Sequence, residues 1–261
     1  MIRALSTAAT GMEAQQTRLD VTANNIANVS THGFKKSRAE FADLMYQTQR
    51  SPGAATGAGT QSPTGLQVGL GVRTTATHRM HGQGDLRQTD NPLDVAIEGR
   101  GFYQVNLPSG EVAYTRDGAF KLDPEGQLVT AQGYPLASAI SIPPDAQSVT
   151  IGADGTVSVT VPGEAAAVEA GQIEVATFAN ESGLESMGRN LYRETSASGT
   201  AVTGPAGENG SGTLAQGTLE LSNVNVVEEM IDLITGQRAY EINSRVVKAA
   251  DEMLAETAQL R

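Results

Sequence analysis

From Ile2 the larger apolar or small residues recur as Ile2, Leu5, Ala9, Met12, Gln16, Leu19, Ala23 and Ile26. Steps of three and four alternate throughout, which is the heptad stripe of a helix that packs along another helix. Gln16 is the one polar residue in the stripe, and a residue of that kind sets register at a cost in stability. Asn28 and Gly33 mark the expected helix end. At about 1.5 Å per residue, 2–28 forms a rod of roughly 40 Å. A second helix is predicted over the C-terminal residues, starting at Asn225, whose pairing with Glu228 has the outline of a capping box. Beyond this cap Val227, Ile231, Ile234, Ile242, Val246 and Met253 share one face, which Met230, Leu233, Tyr240, Val247 and Leu254 widen. That face is broad enough to meet more than one neighbour.

Between the helices the period changes to two. Leu66, Val68, Leu70 and Val72 alternate, as do Val157, Val159 and Val161, and Ile173 with Val175. Asp154-Gly155 between two β-rich runs is a hairpin signal. Tyr114 to Leu122, the turn Asp123-Pro124-Glu125-Gly126 and Gln127 to Thr130 read as a second hairpin with a longer loop. Two stretches differ in texture. Ser51 to Val72 has no charged residue, six Gly and two Pro, and Thr195 to Thr213 has five Gly and one bulky aliphatic, Val202. Both read as long flexible or extended segments. The order is therefore helix, mainly antiparallel β body, helix, an α+β chain.

Composition narrows this picture. Aromatics make up 4% of the 261 residues, there is no Trp, and the 29 Gly favour small, turn-rich modules. The net charge of −11 opposes affinity for nucleic acid or anionic lipid. Residues 1–50 carry six Lys/Arg against four Asp/Glu, and 51–223 carry eight against eighteen, so the excess acid lies in the middle. With no cysteine there is no disulfide framework, thiolate site or Cys nucleophile. The start lacks the apolar run of a cleaved signal peptide, and no 18-residue apolar run predicts membrane insertion.

Candidate chemistry is sparse. No GxSxG, SxxK, HExxH, Walker A or full GxGxxG motif occurs, and Gly69-Leu70-Gly71 and Gly99-Arg100-Gly101 read as turn glycines. His78, His81 and Asp85 can be written as metal ligands, but without a fourth group they read as ordinary polar positions. Asp117 reads as a turn residue before Gly118, and Asp90, Asp94 and Glu98 as solvated charges. No catalytic residue, cofactor site or metal site is nominated. The two stripes leave a choice: the terminal helices bury them only on each other, or on helices of other copies. A lone pair of helices buries little, a shortage that partner helices resolve.

The run Ala23-Asn24-Asn25-Ile26-Ala27-Asn28, continued by Thr31-His32-Gly33-Phe34-Lys35-Lys36, resembles the N-terminal signature of the bacterial flagellar axial proteins, the rod and hook family. Ser222-Asn223-Val224 and Gln237-Arg238-Ala239-Tyr240-Glu241-Ile242-Asn243 resemble its C-terminal signature. Pro52, and Pro63-Thr64-Gly65-Leu66-Gln67-Val68-Gly69, resemble a segment of the family's distal-rod branch. Asp94 to Phe102, Tyr114 to Phe120 and Gly183 to Ser186 resemble the same branch, so the likeness covers essentially the whole chain.

The resemblance implies a structural subunit, not an enzyme, that polymerises into the rigid hollow distal rod, the drive shaft between proximal rod and hook. Hook and proximal rod subunits are the alternatives within the family, and a peptidoglycan-acting enzyme is the alternative from another class. It also implies three layers: 1–30 with 225–261 as the helical inner tube, 31–92 with 186–224 as a connecting region including a hairpin-like segment at 46–72, and 93–185 as an outer β domain. The implied assembly interface is Ile2, Leu5, Met12, Leu19, Ile26, Val227, Ile231, Ile234, Tyr240, Ile242, Val246 and Met253. Implied partners are further copies of the chain, proximal rod proteins, the hook protein through a junction, the surrounding L and P ring proteins, the rod cap and the flagellar export apparatus. The implied location runs from periplasm to outer membrane, reached without a cleaved signal.

Overall fold

The computed structural model describes residues 2–53, 55–57, 60–61, 63–138, 140–162 and 167–259, with backbone only at 2, 55–57, 60–61 and 257–259. Helix α1 spans Ile2–Ala27 and helix α2 spans Val226–Gln259, and the chain between them is mainly antiparallel β. The architecture is the α+β order that the change of period predicts. The chain divides into two compact units, one drawn from 1–26, 37–78 and 225–261, the other from 27–36 and 79–224.

In the first unit the two helices run antiparallel. Gly11 faces Asn243, Gly236 faces Leu19, Arg18 meets Asp232 and Asn25 meets Glu229. Cβ atoms added at Gly11 or Gly236 would each lie 3.0 Å from the opposing side chain, so the backbones approach where a side chain is missing. The face that closes shares Leu19 with the predicted stripe but is centred beside it. On α1 the buried residues are Ala8, Ala14, Thr22 and Asn25, while Leu5, Met12, Leu19 and Ile26 are half-buried and Ala9, Gln16 and Ala23 are exposed. A glycine stands at each close approach, Gly11 under Asn243 and Gly236 under Leu19, and the polar pairs of Arg18 with Asp232 and Asn25 with Glu229 complete the contact. Gln16 is thereby removed from any register role in this pair. Asn225 caps α2, but through the second helical residue rather than as a box with Glu228: its Oδ1 accepts from the Val227 N–H at 3.1 Å.

The same unit contains ribbons. Ser37–Asp43 pairs with Val72–Arg79, Tyr46–Arg50 with Leu66–Gly69, and Ala55–Gly57 with Thr60–Gln61. The alternating run Leu66 to Val72 is thus two strands, not one. It breaks at Leu70 and Gly71, where the Leu44 N–H donates to the Gly71 carbonyl.

The second unit is built on a six-stranded antiparallel sheet in the order Glu185–Gly188, Leu191–Arg193, Val112–Thr115, Phe102–Asn106, Glu174–Thr177, Val202–Pro205. Because side chains alternate across a strand, Tyr103, Val105 and Val175 face the larger core. There they meet Val157, Val159 and Ile173. Phe102, Tyr114, Phe178 and Tyr192 form a second apolar cluster. Its rings meet edge to face, with centroids 4.8 Å apart for Tyr114 and Phe178 and 5.7 Å for Phe102 and Tyr192.

Both predicted turns are present. Asp154-Gly155 joins Ser148–Ile151 to Thr156–Thr160, with the Asp154 carboxylate accepting from the Thr156 N–H. The turn at 123–126 joins Lys121–Leu122 to Leu128–Val129, but Tyr114 and Thr115 belong to the large sheet, since the chain turns away at Arg116 to Gly118. Two other expectations are corrected. Thr195 to Thr213 is no loose linker: Ser198 and Ala206 are buried and Val202–Pro205 is an edge strand paired with Glu174–Thr177. Asp94 is not solvated but buried, accepting from the Thr89 hydroxyl and the Asn91 amide at 2.8 Å each.

Candidate assembly surface

Closing α1 and α2 through their small faces decides what α2 presents elsewhere. Val227 is 66% exposed, Ile231 58% and Ile242 57%, and Ile234, Tyr240, Val246 and Met253 are exposed alongside them. Met230, outside the nominated set but on the widened stripe, joins them. A row of this length is more apolar surface than a single soluble chain usually leaves open, and such rows mark interaction sites. Of the α1 residues nominated with them, Leu5, Met12, Leu19 and Ile26 are half-buried, and the side chain of Ile2 lies outside the described residues. The nominated positions therefore do not share one environment: those of α2 are exposed, and the four described on α1 are half-buried.

The chain matches the family described as flagella basal body rod protein over residues 5–35, the flagellar hook protein FlgE/F/G D1 domain over 96–159, and the flagellar basal body rod FlgEFG protein C-terminal region over 215–260. It is 52% identical over 260 residues to the flagellar basal-body rod protein FlgG of Buchnera aphidicola subsp. Schizaphis graminum, covering 100% of both chains. It is also 49% identical to that of Caulobacter vibrioides over 261 residues and 42% identical to that of Bacillus subtilis over 266, again across 100% of each chain. The chain belongs to the flagellar basal-body rod family.

The family's terminal signatures occupy different environments. In the N-terminal one Asn25 is buried, Ile26 and Asn28 are half-buried, and Ala23, Asn24 and Ala27 are exposed. Gly33 and Phe34 are buried in the second unit, where Gly33 has φ +66° and a Cβ there would lie 2.8 Å from the Arg116 backbone. No other residue type fits that position without strain. In the C-terminal signature Gln237, Arg238, Tyr240 and Glu241 are exposed and Ala239 half-buried. Gln237, Arg238 and Glu241 line an open groove with Ile234 and Ile242 on the outward side of α2. In the distal-rod segment Pro52, Pro63 and Leu66 are exposed and Gly65, Val68 and Gly69 half-buried. A Cβ on Gly65 would meet the Arg50 carbonyl and Pro52, both at 2.8 Å, so the ribbon narrows at that point.

The second unit holds a charge cluster that the sequence patterns do not reveal. Lys35 Nζ donates to Glu220 Oε1 at 2.6 Å and Arg116 Nε donates to Glu220 Oε2 at 2.6 Å, with all three side chains buried. Lys35 also donates to the Gly82 carbonyl, Arg116 to the carbonyls of Ile97, Gly99 and Gly101, and the Gly84 N–H to Glu220. Burial pushes the Lys35 ammonium below its ordinary pKa against the pull of Glu220. Burial also works to raise the Glu220 carboxyl, but Arg116 and Lys35 outweigh it and hold the group below the usual carboxylate range. The signal is present in part: Lys35 and Arg116 lie inside the family motifs. Nothing in the spacing pairs them with Glu220, which is 185 and 104 residues away.

His81 has a packing role, its ring edge-on to Phe102 and Tyr192 at 5.6 Å. Among the described residues no group of three or more His, Asp or Glu is placed to hold a metal ion. No described helix is long and apolar enough to cross a membrane.

Proposed function

We propose that this chain is a structural subunit that polymerises into the rigid, hollow distal rod of the flagellar basal body and carries torque from motor to hook. One observation carries the reading: the helix pair closes around Gly11 and Gly236 and leaves the large apolar row of α2 outside. Burying a Leu- or Ile-sized side chain stabilises by about 1.5–3 kcal/mol. A row of seven or eight, half-exposed in one chain, is thus a strong drive for helices of further copies to cover it. Membership of a rod family and full-length identity to rod proteins support the same conclusion.

In this reading Ile2, Leu5, Met12, Leu19, Ile26 and the α2 row form the inter-subunit contacts of an inner tube built from 1–30 and 225–261. Residues 31–92 and 186–224 form the connecting layer, and 93–185 faces outward with most of the acidic charge. The subunit has no catalytic role and binds no cofactor. Its partners are other copies, the proximal rod, the hook through a junction, the L and P rings, the rod cap and the export apparatus. Its place is the basal body from periplasm to outer membrane, entered without cleavage of a signal. Purified protein at rising concentration, viewed by electron microscopy, is expected to form straight hollow tubes. A chain that stays monomeric at every concentration overturns the proposal.

A further inference from the structure

The inner face of the helix pair has few features that fix how far one helix slides on the other. Gly11 of α1 faces Asn243, and Gly236 of α2 faces Leu19 and Gln15, with the buried Ala250 one heptad beyond Asn243. Gly236, Asn243 and Ala250 recur at heptad spacing along α2, so a slip of one heptad exchanges one of them for the next opposite α1, and such a face needs a separate device to fix one register. The Arg18–Asp232 ion pair is a weak one. Its side chains are 38% and 50% exposed, and water screens exposed pairs so that they contribute little.

Asn25 is of another kind. It is 2% exposed, and its amide is engaged on both sides: Nδ2 donates to Glu229 Oε2 at 3.1 Å and to the Ser37 carbonyl at 2.9 Å, while Oδ1 accepts from the Ser37 N–H at 3.0 Å. Glu229 is itself buried, in the first turns of α2. A slip in either direction takes its carboxylate away from the Asn25 donor, and an unpaired buried charge is strongly unfavourable.

We infer that Asn25 and Glu229 are the register pin of the two terminal helices, and that Asn25 at the same time fixes where the strand Ser37–Asp43 begins against them. The inference rests on the helix pair within one chain and stands whether or not the chain polymerises. Its consequence for assembly is geometric. A one-heptad slip displaces the exposed α2 row along α1 by roughly 10 Å, which would put every contact with a neighbouring copy out of step.

The chain has no cysteine, so introduced pairs report register without interference. Gly11→Cys with Asn243→Cys, and Leu19→Cys with Gly236→Cys, sit opposite each other in the observed register. Gly11→Cys with Gly236→Cys, and Leu19→Cys with Asn243→Cys, meet only after a slip in one or the other direction, because a disulfide needs Cα atoms within about 7 Å. In dilute full-length protein under mild oxidation, only the first two pairs are expected to close. With Asn25→Leu and Glu229→Met added, which replaces both polar partners with apolar ones, the slipped pairs are expected to close at least tenfold more, with helix content by circular dichroism unchanged. Slipped pairs that stay open in a chain that remains helical overturn the inference. If the double variant loses its helices, Asn25→Ser takes its place, since a short hydroxyl cannot bridge both partners. Slipped pairs are then expected to close in Asn25→Ser, and if they stay open there the inference fails in the same way. Arg18→Ala with Asp232→Ala is expected to leave the slipped pairs open, and if that change alone frees them, the exposed ion pair sets the register and Asn25 does not.

Discussion

The helix pair and the β body use their apolar residues in opposite ways. On α2 the row from Val227 to Met253 lies exposed while Leu233, Val247 and Leu254 are half-buried, and Gly236, Asn243, Asp232 and Glu229 meet α1. In the β body Tyr103, Phe120, Ile173 and their neighbours are fully enclosed, and even the buried charges of Lys35, Arg116 and Glu220 have partners. Aromatics divide the same way: the second unit buries Phe34, Phe102, Tyr103, Tyr114, Phe120, Phe178 and Tyr192, while Phe41, Tyr46 and Tyr240 of the first are exposed. A body that encloses its own core is complete alone. A helix pair with its bulk outside leaves apolar surface uncovered.

The most drastic way to break this contrast is to place charge on the outward row. Ile234→Asp is expected to abolish tubes and motility while changing the stability of the isolated chain in urea by no more than about 0.5 kcal/mol, since the side chain is half-exposed there. Leu19→Asp, seated against Gly236, is expected to abolish assembly as well, and normal motility in both variants contradicts the assignment.

Next in size is Glu220→Gln, which leaves Lys35 and Arg116 buried without an anion and is expected to cost about 3–5 kcal/mol, read by tyrosine fluorescence in urea. Replacing all three as Lys35→Met, Arg116→Met and Glu220→Leu is expected to restore most of it. The Glu220 carboxyl is held low when folded, so its contribution is present above the ordinary carboxylate pKa and lost as pH falls through the depressed folded value. The gap between parent and Glu220→Gln chains should therefore close in acid. A gap that is absent at neutral pH removes the cluster from the stability of the body.

Limited proteolysis compares the two units directly. Before assembly the termini are expected to be trimmed first, at residues 1–28 and 226–261, leaving the β body intact. Termini as resistant as the body would mean that the helix pair is self-sufficient.

Smaller again is the effect of the ribbon at Tyr46–Arg50 and Leu66–Gly69, whose backbone can pair along a neighbour. Deleting about residues 50–66 is expected to permit polymers that bend, and straight rods from the deletion would deny it a stiffening role.

The smallest effect is a titration. Burial raises the Tyr114 phenol to about 12, with Glu194 adding to the shift, and burial likewise raises Tyr103 and Tyr192. Unfolded phenols release protons near pH 10, so the β body is expected to lose stability as pH rises above that value, checked by denaturant midpoints at pH 9 to 11 with ultraviolet detection of phenolate. Phenolate forming at ordinary pH without unfolding would show that these rings are open to water.

The sequence by itself determined what depends on near neighbours. Helix and strand periods, the Asn225 cap, the turns at 123–126 and 154–155 and the terminal signatures were all readable, because each rests on residues a few positions apart. Tertiary structure decided what depends on distant ones. Periodicity gave α1 a bulky stripe but could not show that the pair closes through Gly11, Leu19 and Asn25, because backbone approach rewards a glycine only once a second helix is present. Nor could it tell that Gln16 is exposed, that Asp94 is enclosed, or that Glu220 joins Lys35 and Arg116, since the cost of burying a charge exists only where the fold removes water.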